Sequence, residues 1–316
     1  IKLEGNGGML DFWASADQKG DAAGKAFVRL PQIKVNGKRI AGDLRVNIFL
    51  DPRQGVTVDG GGEIFGARLR AEGARSAMTF TVEGLDSALL GAAFPALGAL
   101  NPAGIVDLTV RTDEHFSAVG QASSPRLALN GVRLDALLAS AHYERNKHKV
   151  VLEGLKARIG NAPLDLSGFV DLRSASLQFD GSLRGLNPKS IPMLNNQVQG
   201  LCDVSLGIHG TTRSPQVTVA ISGNENTVAD IPIKRLRLTG VFADDRVTLP
   251  ETVLLVPGGS LSFRGEIDLP RGGEARLNLS GALSNFDLKT FSKPWDTPVS
   301  GRLEGTLRVA GPISGA

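Results

Sequence analysis

Lys149 to Leu172 reads KVVLEGLKARIGNAPLDLSGFVDL, and Arg246 to Leu269 reads RVTLPETVLLVPGGSLSFRGEIDL. The two stretches align without a gap at an offset of 97 residues, which sets Gly168 on Gly265 and Asp171-Leu172 on Asp268-Leu269. Val150 meets Val247, Leu152 meets Leu249, Ile159 meets Val256, Leu164 meets Leu261 and Leu166 meets Phe263. Apolar character is kept while polar identities drift. In both stretches apolar residues recur on alternate positions: Leu164, Leu166, Val170 and Leu172 in the first, Leu261, Phe263, Ile267 and Leu269 in the second. A spacing of two puts them on one face of a β-strand and leaves the other face to water.

The same alternation spreads outward in both directions. It appears in Leu44, Val46, Ile48 and Leu50, in Val106, Leu108 and Val110, and in Leu177 and Phe179. Further along it returns in Val217, Val219 and Ile221, in Leu236 and Leu238, in Leu277 and Leu279, and in Leu303, Leu307 and Val309. Asn36-Gly37, Asp59-Gly60-Gly61, Asn130-Gly131, Pro257-Gly258-Gly259 and Arg271-Gly272-Gly273 read as tight turns between such strands. The expectation is an all-β fold, a long antiparallel meander of strands about five to eight residues each. Leu85 to Leu100, Leu186 to Gln197 and Phe286 to Lys293 break the alternation and read as short helices or apolar loops. The apolar spacing of Leu134 to Ala141 reads as helical.

The repeat continues past the first match. LQFDGSLRGLN from Leu177 resembles LNLSGALSNFD from Leu277, and MTFTVEGLD, ending at Asp86, resembles both endings. After each ending the chain passes through an irregular segment into a Gly-led strand at Gly104, Gly200 or Gly301. The implied units are 1–103, loosely matched, then 104–199, 200–300, and 301–316, a unit only begun. A period near 97 is far longer than the roughly 20 to 30 residues of a β-helix coil, so each period holds several strands. A sheet built this way lengthens strand by strand with one face apolar throughout, and that face needs a cover or an occupant.

Composition narrows the function classes. Net charge is +3, from 35 basic and 32 acidic residues with the signs interspersed, which is a solvated surface and no nucleic-acid footprint. The single cysteine, Cys202, excludes an internal disulfide framework and a cysteine zinc site. The sequence starts at Ile1 with no leader, which reads as a piece of a longer protein from which an anchor is missing. His115, His142, His148 and His209 lack metal-ligand spacing, and His142 and His148 read as members of one charged loop. The Gly-rich pieces at Gly5 and Gly60 lack the lysine of a phosphate loop and read as hairpin turns. Asp171, Asp268 and Asp244-Asp245 read as solvated carboxylates, and no serine sits in a nucleophile elbow. The basic run Arg145 to Lys149 reads as a hairpin tip, with contact to a lipid head group or a partner as the other reading. No catalytic residue, metal or cofactor is expected.

A Gly-led strand, a break at Gly210-Thr211-Thr212-Arg213-Ser214-Pro215, paired strands ending in G-x-[IV]-D-L and a strand entering an L-D/N turn together resemble the TamB family, related to AsmA-like proteins. The resemblance covers most of Gly104 to Ala316 and, more loosely, the first hundred residues. It implies an elongated sheet curled into a taco-like trough whose apolar interior, lined by the alternating residues named above, carries phospholipid acyl chains. It further implies a periplasmic protein of a Gram-negative envelope, anchored in the inner membrane, with an outer-membrane barrel assembly protein as partner. The competing reading of the same alternation is a passive structural or adhesive β-array with a closed core.

Overall fold

A computed structural model describes residues 3–5, 9–16, 22–35, 38–51, 55–64, 66–74, 77–89, 98–113, 117–194, 198–228, 230–270, 274–289 and 300–312. The chain divides into two compact units, Ile1–Ala157 and Arg158–Ala316. The first contains β1 (Leu3–Gly5), β2 (Met9–Ala16), β3 (Ala22–Val35), β4 (Lys38–Asp51), β5 (Gly55–Ile64), β6 (Ala67–Ala74), β7 (Ala77–Asp86), β8 (Ala103–Thr112), β9 (Ala118–Leu129) and β10 (Val132–Glu144). β11 (Lys149–Ile159) carries the division between the units. The second contains β12 (Ala162–Asp171), β13 (Ser176–Leu186), β14 (Val198–Thr211), β15 (Pro215–Val228), β16 (Ile231–Ala243), β17 (Arg246–Val256), β18 (Gly259–Asp268), β19 (Arg276–Asp287) and β20 (Arg302–Pro312).

The fold is all-β and antiparallel. Consecutive strands pair from β2 to β10 in the first unit and from β12 to β20 in the second. β1 and β2 lie end to end along one edge of β3. Most strands run 10 to 14 residues, longer than the sequence suggested, because glycines that read as turns lie inside them. Gly60, Gly61 and Gly62 are the clearest correction. They sit mid-strand in β5, paired with Ala71, Arg70 and Leu69, and the turn expected there is absent. Asn36-Gly37 and Arg271-Gly272-Gly273 lie outside the described residues. Asn130-Gly131 does turn the chain, with positive φ at both residues.

The second unit holds two copies of the sequence repeat as structure. β12 and β18 both have 10 residues and occupy equivalent positions in the sequence. Gly168 faces Phe179 as Gly265 faces Leu279, and Leu166 faces Gly181 as Phe263 faces Gly281. At Gly168 and Gly265 any Cβ would collide with the neighbouring strand, at the Gln178 and Asn278 carbonyl oxygens respectively. The repeated glycine is thus required by close strand approach.

The segments that break alternation also recur. Register slips between Val82 and Leu85, between Leu183 and Leu186, and between Leu283 and Phe286. Each slip contains one residue with positive φ: Gly84, Gly185 and Asn285. The slip turns Leu85, Leu186 and Phe286 inward, where all three are buried. Each strand then ends in an Asx turn, in which Asp86, Asn187 and Asp287 accept from the backbone N–H of Ala88, Lys189 and Lys289. In the second unit Pro188–Ser190 and Pro192–Leu194 follow as single 3-10 turns.

Leu134 to Ala141 is strand β10, with no helix. Its helix-like spacing comes from Ala136, whose φ of 51° interrupts the pleat and lets Leu134 and Leu137, three residues apart, both be buried. His142 is accordingly on β10 and not in a loop, while His148 follows the 3-10 turn Arg145–Lys147 at the hairpin tip. Among the described residues no helix is long and apolar enough to cross a membrane.

Candidate functional site

Directly opposed residues of an antiparallel pair point to the same face, so the registers trace which side chains share a surface. In the second unit one row runs Leu164, Leu183, Val204, Ile221, Leu238, Thr252, Phe263, Gly281, Leu307, from β12 to β20. A second runs Gly168, Phe179, Ile208, Val217, Phe242, Val247, Ile267, Leu277, Gly311 across the same strands. Between them lie Leu166, Gly181, Leu206, Val219 and Gly240 on one side, and Leu249, Gly265, Leu279 and Val309 on the other. Val170 opposes Leu177, beside these rows. The face is a strip of apolar side chains and glycines nine strands wide, in which Thr252 is the one polar residue among those named.

The first unit shows the same organisation. Gly62, Leu69, Val82, Leu108, Ala122 and Ala139 form one row. Gly60, Ala71, Phe80, Val110, Gly120 and Ala141 form the next. Val106 opposes the buried Leu85, and Ile48 opposes Val58. The side chains of Leu44, Val46 and Leu50 lie outside the described residues.

Burial differs between the two faces. Along β12 and β19 the polar positions are exposed and the apolar ones half-buried, in strict alternation over most of each strand. The predicted lining residues Ile48, Val106, Leu108, Val110, Leu164, Leu166, Val170, Leu177, Phe179, Val217, Val219, Ile221, Leu236, Leu238, Leu261, Phe263, Ile267, Leu277, Leu279 and Leu307 are all half-buried. Leu303 and Val309 on β20 are exposed, and so are Leu172 and Leu269, which lie just beyond the ends of β12 and β18. A strip that keeps this much apolar surface in contact with solvent can take up a hydrocarbon chain, each buried methylene contributing about 0.8 kcal/mol.

One end of the second unit is sealed. Ile233, Val256 and Phe286 are buried together, with Val228, Ile231, Leu236, Leu254, Leu261 and Leu283 packed on them. Leu236 and Leu261 therefore border a closed cluster as well as the strip. Sequence reasoning placed Val204, Leu206 and Ile208 of β14 in no lining set, although they alternate with Cys202 and were legible by spacing. The slips that bury Leu186 and Phe286 left no periodic signal.

Two buried polar atoms in this unit lack partners, Asn226 Oδ1 and Thr252 Oγ1. Asn226 donates through Nδ2 to the Leu201 carbonyl at 3.1 Å and to Cys202 Sγ at 3.6 Å. Burial pushes the Cys202 thiol up, against a smaller lowering by the Asn226 hydrogen bond.

The wet face is held by exposed charge pairs. Arg246 contacts Asp268 at 2.7 Å and Glu266 at 3.1 Å, and Arg70 contacts Glu72 at 2.8 Å. At the hairpin tip His142 lies 3.0 Å from Glu153 and 3.4 Å from Glu144, which also meets Lys147 at 3.1 Å. The Lys147 hydrogen bond is the main reason the Glu144 carboxyl is held below the usual range. Asp171 accepts from the backbone N–H of Arg173 and Ser174 at 2.8 and 3.0 Å, and these bonds lower its pKa. Asp244 accepts from Ser214 Oγ at 3.0 Å. Of the carboxylates that drew attention in the sequence, Asp171 thus caps a turn, Asp268 pairs with Arg246 and Asp244 accepts from a serine hydroxyl. Among the described residues no cluster of three His, Cys, Asp or Glu side chains could hold a metal.

Hollows also open on this wet face. One of about 540 Å3 in the first unit is bordered by Thr109, Gln121, Ser123, Ser140, Glu153 and Lys156, and one of about 770 Å3 lies across β18, β19 and β20. No family model, no curated protein and no solved structure matches this chain.

Proposed function

We propose that this chain is a non-enzymatic envelope scaffold of the TamB and AsmA-like kind, whose apolar strip conducts phospholipid acyl chains between the inner and outer membranes of a Gram-negative cell. The observation that supports the reading most directly is the strip of the second unit, continuous over nine strands, with most of its apolar side chains half-buried. A uniform Leu, Val, Ile and Phe lining suits sliding, since no position holds a chain more tightly than the next. The head group stays in water at the border of the strip, and no covalent step is needed. On the same reading the full protein is anchored in the inner membrane, works in the periplasm, and supports outer-membrane protein assembly with a barrel partner.

The sealed cluster around Ile233, Val256 and Phe286 favours a second reading, a passive structural or adhesive array in which the strip is the unfinished side of a closed core. Photo-crosslinking side chains at Leu166 and Phe263, with Ser167 and Asn278 on the wet face as controls, separate the two in gently purified protein. The conduit reading expects lipid adducts at Leu166 and Phe263 alone, and native mass spectrometry should detect copurified phospholipid. Absence of adducts at both apolar positions, with the protein folded, would rule the conduit out.

A further inference from the structure

The hollow across β17, β18, β19 and β20 is bordered by polar residues of the wet face and, between them, by Phe263, Gly281 and Leu307 of the neighbouring strip row. Arg264, Ser280 and Arg308 stand in one cross-strand row, with Ser262 and Thr306 in the adjoining row, and all five border the hollow together with Glu251. The backbones of Arg264 and Arg308 are two strand spacings apart, about 9.6 Å, so two flexible guanidinium groups flank one serine hydroxyl. Among the described residues neither arginine forms an ion pair, in contrast to Arg246 two strands from Ser280.

The internal repeat supplies a control for what the fold itself demands. In the preceding copy the same row is Ser167, Asp180 and Gly207, and the adjoining row is Asp165, Ser182 and Ser205. The earlier copy therefore carries two carboxylates and no cation where the later copy carries two arginines and no carboxylate. Both copies form the same strands, so the arginines are not there to make the sheet. Two arginines on one face with no ion-pair partner among the described residues repel each other weakly at this spacing, and an oxyanion held between them turns the pair favourable. Guanidinium forks and hydroxyl donors match the several oxygens of a phosphoryl group.

We infer that Arg264 and Arg308, with Ser262, Ser280 and Thr306, form a binding site for a phosphate-bearing ligand on the wet face of the second unit. Glu251 also borders the hollow, and its carboxylate disfavours a ligand of high negative charge. The site is independent of the proposed lane, and its failure would leave that reading untouched.

Calorimetric titration of the full chain with inorganic phosphate at low ionic strength tests the site. Arg264→Gln and Arg308→Gln should each weaken binding about tenfold, the loss of one charged hydrogen-bond set, while Arg237→Gln on β16 leaves it unchanged. Circular dichroism checks that each exposed substitution keeps the fold. A second arm uses vesicles of phosphatidylcholine with and without phosphatidic acid. Recruitment by phosphatidic acid that is lost in Arg264→Gln assigns the site to lipid head groups, and phosphate binding without recruitment assigns it to soluble phosphates. No measurable phosphate binding, or equal weakening by Arg237→Gln, would overturn the inference.

Discussion

Gly265 has no side chain where β18 faces Leu279 of β19, and the nearest obstacle to a Cβ there is the Asn278 backbone carbonyl, which cannot swing aside. Gly265→Ala should therefore lower stability by about 1–3 kcal/mol, read as a fall in the urea midpoint, whereas alanine at Gly305, where nothing lies near, should be tolerated. Asp171 makes a pH-dependent contribution of known sign. Its carboxylate is stabilised by two backbone N–H donors, so its pKa is lower folded than unfolded. Its contribution is complete above the ordinary aspartate range and is lost as pH falls through the depressed folded value. Urea midpoints measured down the acid limb should fall less steeply in Asp171→Ala than in the parent chain. Cys202 is buried with its thiol pKa raised, so an aromatic disulfide reagent should label it only at the rate at which the second unit opens.

At the scale of elements, the recurring slip is the device that ends a strand and starts the irregular segment. Its bulged residue is held by a side chain from the next strand: the backbone N–H of Gly84 donates to Asp107 at 2.7 Å, and that of Gly185 to Asp203 at 2.8 Å. Asp107 and Asp203 occupy the same place three residues into their Gly-led strands, where the third copy has Glu304. Removing the acceptor strands one donor in a constrained bulge, so Asp203→Ala should cost about 1–2 kcal/mol and raise hydrogen exchange at Gly185 above that of its neighbours. The slip itself was not legible in the sequence. A bulge shifts alternation by one, and a pattern built on strict alternation treats the shifted residues as noise. Leu134 to Ala141 failed for the same reason, since one positive-φ alanine converts period two into an apparent helical spacing.

In each unit the described strands carry an apolar face and a polar face with charge pairs, and in the second unit Ile233, Val256 and Phe286 are buried together in one cluster. Truncating that ring leaves a cavity, and Phe286→Ala should destabilise the second unit by about 3–5 kcal/mol, measured by chemical unfolding with Cys202 labelling as the local reporter. Leu307, half-buried on β20, should tolerate substitution by Asp far better, because the new charge can remain hydrated. A comparable loss at both positions would show that the strip is sealed in solution and would favour the closed-core reading.

Local periodicity decided much of this chain before any tertiary contact. Alternation fixes which face a side chain takes, the recurrence of Gly168 as Gly265 marks equivalent strands, and interspersed charge keeps the other face wet. Those properties depend on neighbours one or two residues away, which the sequence lists directly. Register, the burial of Leu85, Leu186 and Phe286, and the gathering of Arg264 and Arg308 around Ser280 depend on residues far apart in the chain. They follow from how hydrogen-bonded strands slide to satisfy every backbone group at once, and only the folded sheet makes that choice.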